Sequence, residues 1–199
     1  MAESYGGPKF SCDLRKQRPE LGDDENRAAI QLLDCCKRFH SMGLAPEYDH
    51  ATGKGTSGNY SFRTANGFLV TATPKHAASM TLDDLTLVTG GNLQANALAA
   101  TGLKPPSSEA LMHFAIYSAK PGAGAIVHWH DDQMLNNVPE GIVETEGEAP
   151  AGTVEFAKLA AKAASSISGT NGVIALKGHG FVAFGKDIDE AERAPLSFY

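Results

Sequence analysis

Long apolar runs are missing from this 199-residue chain. No stretch approaches the roughly 20 consecutive apolar residues that a membrane-spanning helix needs. Met1 to Pro8 is polar and glycine-rich, without the apolar centre of a secretory signal. Clustered positive charge is also lacking. The formal net charge is −6, and no group of lysines or arginines offers the basic face that nucleic acid or an acidic membrane surface requires. A local cationic pocket for a single anionic ligand stays open. Cysteine is confined to Cys12, Cys35 and Cys36. An odd number with two adjacent is not a disulfide framework, so the reducing cytoplasm is the expected compartment. Internal repeats, low-complexity tracts and linkers are absent too. What is present is about one domain's length of chain, with 42% hydrophobic residues for its core.

Residues 1–22, with Gly6-Gly7-Pro8 and Pro19, read as a loose lead-in, and residues 23–199 as the domain. A helix is expected from Asp23 to His40. Two aspartates suit the positive end of its dipole, and Ala29, Leu32, Leu33, Cys36 and Phe39 would form its buried face. The segment Gly53-Lys54-Gly55-Thr56-Ser57-Gly58-Asn59 has the letters of a dinucleotide fingerprint. A turn-like Tyr48 to Thr52 precedes it and a strand follows it, which is the wrong context. It reads either as an anion-binding loop that offers backbone N–H groups or as a plain hairpin loop. Asn66-Gly67 marks a hairpin between strands at Tyr60–Thr64 and Phe68–Thr73. Another strand is expected at Leu85–Val88, while residues 92–104 are too weakly patterned to assign. A helix opens at Pro105-Pro106-Ser107-Ser108-Glu109, with Ser107 or Ser108 as its N-cap and Glu109 in its first turn, an anion-ready position. Glu109 is either a working carboxylate or a complement to the helix dipole. His113, four residues on, either supports a site or is a satisfied buried histidine. Asp131 to Glu148 reads as loop, Thr153 to Ile167 as a helix, and Gly172–Leu176 and Phe181–Phe184 as strands. Asp187 or Asp189 caps a last helix. Helices and strands interleave, so the class is α/β.

Chemistry concentrates at Gly124-Ala125-Ile126-Val127-His128-Trp129-His130. Its apolar residues read as a buried strand. Alternation then points His128 and His130 the same way and Trp129 the opposite way. Two imidazoles so placed can chelate one divalent metal; a hydrogen-bonded histidine pair is the competing reading. His179, between Gly178 and Gly180 at another strand end, is a third ligand or an ordinary loop histidine. If His128, His130, His179 and Glu109 converge, they make three nitrogens with an open fourth position and a carboxylate beside it. That is the arrangement of a catalytic zinc site; other divalent metals also suit imidazole.

With these blocks in order, the chain resembles the class II aldolase/adducin family. The resemblance rests on Gly55 to Ser61, Thr73-Pro74, Pro106 to Glu109, Gly124 to His130, Ala149 to Thr153 and Gly178-His179-Gly180. It implies an α/β/α sandwich around a mostly antiparallel central sheet, and a homotetramer. It implies zinc on His128, His130 and His179, and Glu109 as catalytic acid/base. Phosphate of a small sugar-phosphate substrate would bind at Gly58, Asn59, Thr73, Ser107 and Ser108, with Lys75 as an added cation. The implied reaction is retro-aldol cleavage of a ketose 1-phosphate to dihydroxyacetone phosphate and an aldehyde. Dehydratases and epimerases of the family are alternatives, and so is a non-catalytic adducin-like assembly module. Epimerases usually carry aspartate where Glu109 stands, and assembly modules tend to lose the histidines. Two departures stand out. Lys75 and His76 follow Thr73-Pro74 where the family has a hydroxyl residue and glycine, and the stretch from His130 to Ala149 is short.

Overall fold

The computed structural model of the protein describes residues 9–50, 53–73 and 76–199. Lys75 therefore lies outside the described residues. In chain order the strands are β1 (Ser11–Arg15), β2 (Glu47–His50), β3 (Gly53–Thr56), β4 (Asn59–Thr64), β5 (Gly67–Thr71), β6 (Leu85–Asn92), β7 (Ala97–Thr101), β8 (Ala125–Trp129), β9 (Val143–Glu144), β10 (Gly172–Leu176) and β11 (Gly180–Gly185). The helices are α1 (Asp23–Ser41), α2 (Ala110–Ala119), α3 (Asp132–Asn136), α4 (Val154–Ser166) and α5 (Ile188–Leu196).

A nine-stranded sheet runs in the order β1-β7-β6-β5-β4-β8-β11-β10-β9. Every pairing in it is antiparallel except the two at its edges, β1 on β7 and β9 on β10. Strand alternation divides the apolar side chains between its faces. Tyr60, Phe62, Val127, Trp129 and Phe181 pack on the side of α1, whose Ala29, Leu32, Leu33, Cys35, Cys36 and Phe39 are buried there. Val70, Ile126, Val182 and Phe184 pack on the other side, against α2 and α4. The result is the α/β/α sandwich around a mostly antiparallel sheet. No helix among the described residues is long and apolar enough to cross a membrane.

Several local expectations change. The lead-in contains β1, which pairs with β7 residue by residue from Ser11–Ala97 to Arg15–Thr101. Tyr48 and its neighbours form a strand, not a turn, and Gly53–Thr56 pairs with it as a separate ribbon. Residues 92–104 hold the whole of β7, whose Ala-Leu-Ala-Ala run has little β propensity. The sheet supplies what the local sequence does not. The Asn66-Gly67 hairpin forms between Thr64 and Gly67, but its turn lacks the positive φ of the mirror-image types. Gly67 takes φ +142° instead, and a Cβ there would lie 2.0 Å from the Val88 carbonyl oxygen. Asp131 to Glu148 contains α3 and β9. Helix α2 starts at Ala110, so Glu109 is its N-cap and neither serine is. Tyr117 is buried, and so are Met112, His113 and Ile116, while Phe114 is only partly covered. A helix held between a sheet and a second helix is covered nearly all round.

Candidate metal centre

The site forms where β8, the β10–β11 turn and the start of α2 meet. His128 is fully buried and held by both neighbouring ladders, opposite Asn59 of β4 and Val182 of β11. Its place on the α2 face, with Trp129 stacked on Phe181 on the other, is the alternation the sequence predicts. Gly58 precedes Asn59 at φ +71°. A Cβ at that glycine would lie 2.6 Å from the His128 carbonyl oxygen, so only glycine lets the two strands approach this closely. His130 follows β8 directly. His179 is carried on the turn between β10 and β11, which Gly178 makes at φ +71°.

The three imidazoles converge. Ring centroids lie 4.8 Å apart for His128–His130, 5.0 Å for His128–His179 and 4.7 Å for His130–His179. One nitrogen from each lies within 4.8 Å of the other two, a group able to hold a metal ion. The Nδ1 atom of His128 is 2.7 Å from the Phe181 carbonyl oxygen. A carbonyl only accepts, so Nδ1 carries a proton and Nε2 is the nitrogen turned to the site. This is the outer contact that fixes a metal-binding tautomer.

Glu109 closes the arrangement. Its Oε1 lies 2.7 Å from His179 Nε2 and its Oε2 lies 3.0 Å from His128 Nε2. An unprotonated His128 nitrogen facing a carboxylate oxygen needs a cation between or beside them, either a proton or a metal. The donor set therefore fits a divalent ion. Burial alone would push the Glu109 carboxyl up, but the His179 and His128 imidazoles outweigh it. They hold the group well below the ordinary carboxylate range. Glu109 is thus ionised at neutral pH.

The other expected residues divide. Thr73 donates its N–H to the Pro105 carbonyl at 3.0 Å, and Ser107 donates its own to Thr71 at 3.0 Å. These two bonds set Thr73 beside the 105–107 segment, and Ser108 leads directly into Glu109. Asn59 is corrected. Its side chain is buried and turned inward, donating Nδ2–H to Glu109 Oε2 at 2.6 Å, with its Oδ1 2.5 Å from His113 Nε2. His113 is fully buried and joined to Ser61 and, through it, to Tyr117. Sequence reasoning gave Ser61 no role in the site and kept Tyr117 only as a fallback proton carrier. The signal was available: Asn59 and Ser61 alternate on a strand, while Glu109, His113 and Tyr117 recur every fourth residue on a helix.

Residues 31–194 match the family described as Class II Aldolase and Adducin N-terminal domain. The chain belongs to that family. Among curated class II aldolase relatives, the L-fuculose phosphate aldolase of Escherichia coli (strain K12) is 31% identical over 107 residues, 54% of this chain and 43% of that enzyme. The aligned part is thus less than half of that relative's length. The methylthioribulose-1-phosphate dehydratase of Geobacillus sp. (strain WCH70) is 30% identical over 165 residues, 69% of this chain and 74% of that enzyme. Among solved structures, the L-fuculose-1-phosphate aldolase from Thermus thermophilus shares the fold. Its TM-score is 0.62 at 23% identity, covering 87% of this chain and 90% of that one.

Proposed function

We propose that this protein is a zinc-dependent lyase that cleaves a ketose 1-phosphate of the fuculose type to dihydroxyacetone phosphate and an aldehyde. The observation that carries the reading is the ionised Glu109 carboxylate set between His128 and His179 at the edge of three convergent imidazoles. His128, His130 and His179 would hold the metal; zinc suits three nitrogens, and other divalent ions can replace it. When bound, zinc supplies a Lewis acid for the substrate's carbonyl oxygen. Glu109 carries the proton. In cleavage the bond between C3 and C4 breaks as the C4 hydroxyl gives up its proton and becomes the aldehyde carbonyl, and one proton, carried by Glu109, goes to C3, the carbon beside the ketone; in synthesis the carboxylate takes a proton from that carbon and the new C4 oxygen gains one. Thr73, Ser107, Ser108 and the backbone of Gly58 form the phosphate end, joined on sequence grounds by Lys75. Asn59 serves Glu109 instead.

Dehydration of a sugar phosphate is the second reading, favoured by the 74% coverage of the Geobacillus dehydratase. It needs the same metal and the same base. The deciding experiment is metal analysis of the purified protein, followed by a screen of ketose 1-phosphates. Release of dihydroxyacetone phosphate supports the lyase. Loss of water with the carbon chain intact supports the dehydratase. Absence of both metal and turnover supports an assembly module. We also propose a homotetramer, on the family resemblance; sedimentation as a monomer at micromolar concentration removes it.

A further inference from the structure

We propose that His113 is a positioning residue for Glu109, acting through Asn59 from within a buried, one-directional chain of hydrogen bonds. The inference rests on the reading of Glu109 as proton carrier. The chain runs from Tyr117 Oη to Ser61 Oγ at 2.9 Å, from Ser61 Oγ to His113 Nδ1 at 2.7 Å, from His113 Nε2 to Asn59 Oδ1 at 2.5 Å, and from Asn59 Nδ2 to Glu109 Oε2 at 2.6 Å. All five residues are buried.

The direction of every link follows from the last one. Asn59 presents its NH2 group to the Glu109 carboxyl and its oxygen to His113. That oxygen only accepts, so His113 carries its proton on Nε2. The bare Nδ1 then accepts from Ser61, and Ser61, its proton committed, accepts from Tyr117. No link can be reversed singly.

Asn59 alone does not fix this order. The two ends of an amide have nearly the same shape. Without a donor at its far side, the group could turn and set its oxygen against the Glu109 carboxylate. His113 removes that option. The imidazole is itself fixed: it stacks on Phe68, with centroids 6.5 Å apart and planes 17° from parallel. The Tyr117 end is fixed as well. The Arg63 guanidinium lies 4.5 Å over the Tyr117 ring and donates to the Ala123 and Tyr117 carbonyls at 3.0 and 3.1 Å. Burial holds the His113 ring neutral, lowering its pKa from the ordinary 6.5 to about 3, with the nearby His128 adding to the effect. A charged ring would carry protons on both nitrogens and break the link to Ser61.

Two measurements on metal-free protein test the chain without any substrate. Nitrogen NMR of the His113 ring is expected to show the Nε2–H form throughout about pH 5 to 8, the window in which an ordinary histidine titrates. An Nδ1–H ring, or one that protonates in that window, overturns the proposal. The Asn59 side-chain amide signals are expected to shift in His113→Leu and to return toward their original positions in His113→Gln, which keeps an N–H within reach. Unmoved signals in His113→Leu also overturn it. On L-fuculose 1-phosphate, or whichever ketose 1-phosphate is turned over, His113→Leu should lower kcat ~10- to 100-fold, the scale for residues one layer behind an active group. KM and zinc content should hold, and His113→Gln should recover most of the loss. Equal losses in the two variants mean that His113 merely packs. Glu109→Gln separates the two ideas. If it still turns over, the proton-carrier reading fails; if it is inactive while His113→Leu is normal, only the present inference fails.

Discussion

Asn59 and His128 stand opposite each other across the β4–β8 ladder. The residue that holds the Glu109 carboxylate and the first imidazole of the cluster therefore share one piece of rigid sheet. Backbone hydrogen bonds, not side-chain preference, set the distance between them. A site built on this floor can lose a ligand without losing its shape.

His130→Ala is expected to lower zinc occupancy sharply while the protein stays folded. His130 lies just beyond the end of β8 and is only half-buried, so its removal takes little from the core. Metal analysis and a thermal melt of the same sample test this; a fully zinc-loaded variant contradicts the three-histidine site.

Glu109→Gln should abolish proton transfer and leave zinc bound. Glutamine keeps the shape and can still reach the imidazoles, but it cannot carry a proton. The expected loss in kcat is about 10²–10⁴-fold. Near-normal turnover, measured beside the metal content, would show that another group moves the proton.

Acid should weaken the metal-free protein in a way that depends on His113. The unfolded ring takes up a proton near its ordinary 6.5, whereas the folded one resists until about 3. Between those values the unfolded chain binds more protons, so stability falls as pH falls. Each unit of separation is worth about 1.4 kcal/mol. The stabilisation is complete above 6.5 and lost on descent through about 3. Glu109 adds to the loss at the acid end, because its folded carboxyl is also held low. Urea midpoints should drop through this window in the unaltered protein and drop less steeply in His113→Gln. Parallel curves would contradict the buried neutral ring.

Trp129→Ala should destabilise the fold by about 3–5 kcal/mol, the usual cost of emptying a large aromatic from a core. Trp129 is fully buried, stacked on Phe181 and edge-on to Phe39. Chemical denaturation reads the loss directly; a change under about 1 kcal/mol, the scale of a surface substitution, would mean that the α1 layer repacks freely.

The sequence made the site's histidines legible because they obey short rules. His128 and His130 follow strand alternation, and glycines on both sides mark His179 as a turn. The frame around them was legible where apolar spacing was strong, as in α1 and β8. It failed at β1 and β7, whose polar or alanine-rich residues become strands by pairing, β1 with β7 and β7 also with β6. It failed again at Asn59. A motif can place that residue in a loop next to a site, but only the register of β4 on β8 turns its amide inward. The Ser61–His113–Tyr117 chain needed two periodicities to be overlaid, one of a strand and one of a helix. Nothing local says that those two elements touch.

Helix α4 lies along α2, and apart from Phe156 its buried residues are alanines: Ala157, Ala160, Ala163 and Ala164. Side chains this short let two helix axes come close and leave no slack between them. Glu109, His113 and Tyr117 ride at and along the same rod, so they move together if the rod moves. Bulk added at Ala160 would act as a wedge. It would lift α2 off the sheet and draw the carboxylate away from both histidines at once, without touching any residue of the site. The reach of Glu109 is in this sense gauged from behind, by the thickness of a methyl group.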